Sequence, residues 1–176
     1  MKRFSYISML AAALIAAGLK TVPAAQAQGI CVDEVTAGGW IPDGEDLFAN
    51  FGLNARQETQ GDVTTLTGQL NFVDADMDCH VVGFEVLSYT VLDDFCREIV
   101  YDVTLSLFDV PQEGEFEATV VVCDYGEGVN AQPDFFSIAV FDVTDPANPV
   151  LVETCSASGT LAGGNVQLHA AHGNCP

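Results

Sequence analysis

The chain has 176 residues, with 25 aspartates and glutamates against five lysines and arginines, a formal net charge of −20. That balance repels nucleic acid and anionic lipid headgroups and attracts cations, so neither of the first two is an expected partner. The acids are interleaved with Val, Ile, Leu and Phe, which is the pattern of a folded domain rather than an acidic tail.

The first element is a leader. Met1-Lys2-Arg3 precedes an apolar, alanine-rich stretch from Ile7 to Leu19, and Ala25-Gln26-Ala27 follows. A basic start, an apolar middle and a small-x-small site predict a secretory signal peptide over 1–27, and the apolar run is too short for a comfortable membrane span. Cleavage would leave a secreted β-sandwich-like domain over 28–176, one ordinary domain, with no transmembrane segment in the mature chain. It would remove Lys2, Arg3 and Lys20, leaving Arg56 and Arg97 against 25 carboxylates, a net charge of about −23. Three readings account for that charge: an acidic surface suited to a salty exterior, a divalent-cation site, or a basic partner or substrate.

Export to an extracellular or periplasmic location also sets the chemistry of six cysteines, Cys31, Cys79, Cys96, Cys123, Cys155 and Cys175. An even count in an exported chain predicts disulfides, and six cysteines allow fifteen connectivities. None forms CxxC, the spacing of a redox-active pair or a zinc knuckle.

Beyond residue 30 the pattern is strand after strand. Residues 43–51 have room for one helical turn. Thr64, Leu70 and Phe72 share one parity of the next segment. Ile99, Tyr101, Val103, Leu105 and Leu107 form a cleaner apolar file, with Asp102, Thr104 and Ser106 between them. Phe116, Ala118, Val120 and Val122 alternate with Glu117 and Thr119, and Phe136, Ile138 and Val140 with Ser137 and Ala139. This two-residue period is that of half-buried strands. Turn-formers separate them at Pro111–Gly114, Asp124–Pro133 and Asp145–Pro149. The expected fold is all-β, a single antiparallel sandwich or barrel-like domain stapled by disulfides. Parity puts Cys96 and Cys123 on one face of neighbouring strands and favours their pairing, although a hairpin centred on residue 112 would place Cys123 opposite Tyr101. Cys31 with Cys175 would staple the termini, leaving Cys79 with Cys155.

Several blocks carry a resemblance. They are Val35-Thr36-Ala37-Gly38-Gly39-Trp40-Ile41, Ala49-Asn50-Phe51-Gly52-Leu53-Asn54-Ala55-Arg56, Gly68-Gln69-Leu70-Asn71-Phe72-Val73-Asp74, Val122-Cys123-Asp124-Tyr125-Gly126-Glu127-Gly128 with Asp134-Phe135-Phe136-Ser137-Ile138, and Gly159-Thr160-Leu161-Ala162-Gly163-Gly164-Asn165-Val166-Gln167-Leu168-His169. In this order they resemble a family of uncharacterised secreted bacterial β-rich domains with GGGWI…ANFGFN…GTLGGGNIQLH-like blocks. The chain departs from that pattern at Ala37, at Gly128 and in its acidic loop lengths. The resemblance implies a β-sandwich-like module, alone or appended to surface proteins, and brings no catalytic residue with it.

The candidate sites follow from residue chemistry. Asp74, Asp76 and Asp78 offer three carboxylates at alternate positions after a strand, a candidate calcium site that lacks the glycine and distal glutamate of an EF-hand loop; the plain alternative is an acidic turn. His169, His172 and Cys175 form a metal-like string, but an exported cysteine is expected in a disulfide. Trp40 follows a glycine pair and is expected in the core, the other reading being a sugar-stacking ring. Ser88, Ser106, Ser137, Ser156 and Ser158 lack a G-x-S-x-G elbow. His80, His169 and His172 have no local serine or carboxylate partner that would make a triad, and paired carboxylates among 25 acids select no site. No catalytic or cofactor-binding residue is predicted. The sequence favours a secreted non-enzymatic extracellular module for binding, adhesion or surface structure with an unknown extracellular partner; the alternative is a small exported hydrolase or metal-dependent enzyme.

Overall fold

The structure, a computed structural model, describes residues 29–43, 47–127 and 131–172. The expected leader over 1–27 and its cleavage site lie outside the described residues.

Strands β1 (Ile30–Asp43), β2 (Leu47–Gln60), β3 (Val63–Asp74), β4 (Cys79–Val91) and β5 (Cys96–Leu107) follow one another as antiparallel neighbours. The short β6 (Val110–Pro111) folds back on the end of β5, and β7 (Phe116–Cys123) and β8 (Phe135–Asp142) extend the sheet. β9 (Val150–Leu151) and β10 (Ala157–Thr160) both pair with β8. A 3-10 turn at Glu153–Cys155 lies between them, the one helical element among the described residues. β11 (Gly163–His172) returns to the other end and pairs with β1.

The path β10-β8-β7-β5-β4-β3-β2-β1-β11 curls into a half-barrel. Its concave side holds one parity of each strand, including Val35, Phe51, Phe72, Tyr101, Val120 and Phe136, all buried. The curl is visible in one contact. Phe51 of β2 stacks on Phe136 of β8 with ring centroids 3.8 Å apart, although four strands lie between β2 and β8 in the sheet. Cross-barrel burial of these rings stabilises the fold at about 25 cal/mol per Å² of apolar surface removed from water. The expected all-β, antiparallel, disulfide-stapled class is therefore present, in its barrel-like form.

The two ends of the sheet are finished with care. The free side of β8 is covered by β9, the 3-10 turn and β10, and Cys79–Cys155 fastens that cover to the start of β4, with Cα atoms 5.6 Å apart. The outer edge of β11 receives side chains instead of a strand. The Asp134 carboxylate accepts hydrogen bonds from Val166 N–H at 2.7 Å and Tyr125 N–H at 3.0 Å. The Asp124 carboxylate accepts from Leu168 N–H at 3.0 Å. Gly164, at φ +105°, permits a close approach of β11 to β1, where a Cβ would stand 2.1 Å from the Gly38 carbonyl oxygen.

Cys96 pairs with Cys123, directly opposite it in the β5–β7 register. The register differs from a hairpin centred on residue 112 because the chain reverses earlier. Leu107 pairs with Val110 around Phe108 and Asp109, both with positive φ, a two-residue turn built without glycine. Cys79 pairs with Cys155 as expected by elimination. Cys31 is also disulfide-bonded, and its expected partner, Cys175, lies outside the described residues.

Three expectations are corrected. Asp43 and residues 47–51 are strand, not a helical turn. Thr64 is exposed and takes no part in the core file that holds Leu70 and Phe72. Trp40 is half-buried on the convex face, outside the core, because Val35 and Ile41 fix the opposite parity inward. Its ring packs edge-on against Phe48, with centroids 4.4 Å apart, and over Gly163.

Candidate functional site

The convex face opens where one ladder stops. β3 pairs with β2 along its whole length, Val63 to Asp74, but with β4 only from Leu70 to Asp74. β4 continues past Gly83 with irregularities between Gly83 and Glu85 and between Val86 and Ser88, and it pairs there with β5 alone. Such bulges bend a strand and increase its twist, so β4 turns away and the sheet forks.

Two adjoining depressions, about 450 Å³ and about 440 Å³, follow this fork and share Asn54, Gln69 and Phe84. Gly52, Asn71 and Val82 line the first; Thr67, Glu85 and Val86 line the second. Phe84 is 55% exposed. Amide side chains beside an exposed ring supply donors, acceptors and apolar contact together, the make-up of a recognition surface.

The polar groups of the fork are held by a buried exchange. Tyr101, fully buried, donates its hydroxyl to the Asn54 carbonyl at 3.0 Å, and burial pushes that hydroxyl's pKa well above the usual phenol range. The Asn54 carbonyl reaches inward past Gly68, where a Cβ would stand 2.3 Å from its oxygen. Gln69 N–H is bonded instead by the Asn54 side-chain oxygen at 2.8 Å. Asn71 is steadied by His80, whose Nε2 lies 2.9 Å from its amide oxygen. Asn54 and Asn71 are thus pre-positioned.

Beyond the fork, the first part of β1, the last part of β2 and the first part of β3 form a three-stranded tongue, paired Ile30↔Gln60 and Gln60↔Val63. A polar clamp holds it to the barrel. The Arg97 guanidinium binds Asp33 bidentately, both contacts at 2.9 Å, and Tyr89 donates its hydroxyl to the same carboxylate. Arg97 also donates to the carbonyls of Asp93 and Cys96. Burial alone would raise the Asp33 pKa, but the hydrogen bonds from Arg97 and Tyr89 outweigh it and hold the carboxyl below its ordinary value. Burial, and then the bond to Asp33, push the Tyr89 hydroxyl far above the phenol range. Every member of the clamp is engaged in holding the fold.

The residues singled out in the sequence take ordinary structural places. Asp74 is buried and accepts from the N–H groups of Asp76 and Met77 at 3.0 and 3.1 Å, closing its own turn, while Asp76 and Asp78 are exposed. Among the described residues, no group of three or more His, Cys, Asp and Glu side chains is arranged to hold a metal ion. His169 Nε2 lies 3.1 Å from the Thr36 hydroxyl. The His172 side chain and Cys175 lie outside what is described. Neither His80 nor His169 is hydrogen-bonded to a serine.

The blocks around Asp124, Asp134 and Val166 meet in space, but their carboxylates are engaged by backbone N–H groups. Sequence reasoning missed the roles of Asn54, Gln69 and Phe84, whose only signal was a phenylalanine at the point where the alternation of β4 breaks. It also missed the clamp, whose members are 56 and 64 residues apart. No family model, curated protein or solved structure matches the chain. Among the described residues, no helix is long and apolar enough to cross a membrane, and the disulfides are compatible with an extracellular or periplasmic location.

Proposed function

We propose that the protein is an exported, non-enzymatic binding module whose ligand is received on the convex face at the β3–β4 fork. The observation that carries this reading is the pre-positioned amide pair, Asn54 and Asn71, beside the exposed Phe84 ring. The other polar clusters do not compete: the Asp33 clamp and the Asp124–Asp134 pair are already engaged within the fold. Calcium is not part of this reading, since Asp74 already accepts two turn N–H bonds. The resemblance to secreted bacterial β-rich domains agrees with a module of this kind.

The test uses the exported protein on arrays of immobilised peptides and glycans. Binding is expected, and Phe84→Ser is expected to abolish it with an unchanged melting temperature, because Phe84 is solvent-facing. Turnover of chromogenic ester, glycoside or phosphomonoester substrates, with or without added Ca²⁺ or Zn²⁺, would overturn the reading.

A further inference from the structure

We propose that the outer half of β3, Val63 to Gln69, accepts an extended, lysine- or arginine-bearing segment of another protein as an added strand. The inference rests on the binding-module reading and names its partner.

The first argument is the edge itself. Gln69 directs its N–H at β2. Backbone groups alternate along a strand, so those of Thr64, Leu66 and Gly68 face the other way, towards the fork, where the ladder with β4 has ended. Exposed edges are normally protected by a charge, a proline, a bulge or a covering segment. Val63-Thr64-Thr65-Leu66-Thr67-Gly68-Gln69 carries no charge and no proline, and its register with β2 is unbroken. It is rich in β-branched residues that favour strand pairing. The bulges lie on β4, across the fork, where β4 pairs with β5 alone and the Val86 side chain comes up against Gly68. An extended peptide joining such an edge gains main-chain hydrogen bonds, and alternate side chains reach the surface on either side. Here one set would meet the convex face beside Phe84 and Gln69.

The second argument is charge. After residue 28 the sequence has two basic side chains besides histidine, Arg56 and Arg97. Arg56 is paired with Glu58 and Arg97 with Asp33. Among the described residues, no other carboxylate is paired with a lysine or arginine. Asp62 stands at the tip of the β2–β3 hairpin and Glu85 lines the inner depression, so the two ends of the free edge are acidic. A second copy of this chain would bring the same charge and be repelled, whereas a basic segment is attracted and steered in.

The probe is an acetylated, amidated peptide of about nine residues alternating valine and lysine, long enough to cover the edge. Three companions are used: the same peptide N-methylated at alternate residues, a valine–glutamate version, and the protein variant Thr64→Pro, which removes an outward N–H. The lysine peptide is expected to bind and to slow amide exchange at Thr64, Leu66 and Gly68. N-methylation, the glutamate version and Thr64→Pro are each expected to weaken binding about tenfold or more. Equal binding of the N-methylated peptide, protection elsewhere, or no binding would each overturn strand addition. If the arrays still give a Phe84-dependent ligand in that case, the module reading stands without this one; if they give none, both fall.

Discussion

β11 and the outer half of β3 are both strand edges, and the molecule treats them in opposite ways. The N–H groups of Val166 and Leu168 on β11 are met by two carboxylates from the strand ends of β7 and β8. Those of Thr64, Leu66 and Gly68 on β3 have no β4 ladder opposite them, and Val63 to Gln69 itself carries no charge, proline or bulge. A protein that closes one edge with two aspartates has the means to close another. The contrast is one of closure: side chains cap the β11 edge, whereas the outer half of β3 is left without a β4 ladder. Each variant below is chosen to break one side of that contrast.

The largest effect is expected at the closed flank. Replacing Cys79 and Cys155 by alanine frees the segment that covers β8; a loop of this length predicts a loss of about 4 kcal/mol on the loop-entropy account. Urea unfolding of the double variant measures it. A loss no larger than for a surface substitution would mean that β9 and β10 hold their place unaided.

Next is the carboxylate seal. Asp134→Ala leaves two N–H groups without their charged acceptor and is expected to lower stability by about 3 kcal/mol. Amide exchange at Val166 should accelerate at the same time. Fast exchange at Val166 in the unaltered protein would show that β11 is not sealed by Asp134.

The clamp on the tongue comes third. Asp33→Asn weakens the bidentate Arg97 contact, and a loss of about 2 kcal/mol is expected, below the figure for a fully buried pair. It also carries a pH signature. The Asp33 pKa is depressed in the fold, so its contribution is present above the unfolded value near 3.8 and is lost as pH falls through the folded value. Stability measured from pH 5 down to pH 2 should therefore fall less steeply in Asp33→Asn than in the unaltered chain. Parallel profiles would remove the clamp from the account.

How much of this was legible in the sequence depends on range. The apolar files of β5, β7 and β8 alternate cleanly, so their strands and inward faces could be read directly. β2 alternates as well, Ala49, Phe51, Leu53 and Ala55 against Asn50, Gly52, Asn54 and Arg56. Two small alanines weaken that file, and the helix-favouring Ala, Arg, Gln and Glu around it mask the strand. β4 keeps its parity to Gly83 and then loses it at two bulges, and those bulges make the fork. Both bulges lie in the ladder with β5, a long-range pairing that local periodicity does not report. The site was therefore invisible to periodicity, although the strands that border it were not. The Cys96–Cys123 pairing was readable from parity, whereas its register hung on a turn at Phe108–Asp109 with none of the usual turn residues.

Tyr101→Phe tests the exchange that prepares the fork. It strands the Asn54 carbonyl in the interior, and about 1 kcal/mol is expected to be lost. The more telling readout is local: without its inward partner, the Asn54 carbonyl can return to the ladder, and exchange at Gln69 N–H should change. An unaltered Gln69 would mean that the side chain of Asn54 keeps its place for reasons unconnected with Tyr101.

The smallest effect is the most discriminating. A proline on a strand is tolerated where the lost N–H faces away from the ladder and is disruptive where it faces inward. Thr64 and Thr65 are adjacent, chemically identical, exposed, and in register with Thr59 and Glu58 of β2. If alternation from Gln69 holds, Thr64 N–H faces the fork and Thr65 N–H bonds to β2. Thr64→Pro then sacrifices only the exposed hydroxyl contact with Thr59 and is expected to change stability by no more than about 0.5 kcal/mol. Thr65→Pro removes a ladder bond and is expected to cost several times as much. Denaturant unfolding of the two variants, side by side, compares them with the side chain held constant. Equal losses would mean that both N–H groups are paired, that the β3 edge is closed like that of β11, and that no strand can be added there.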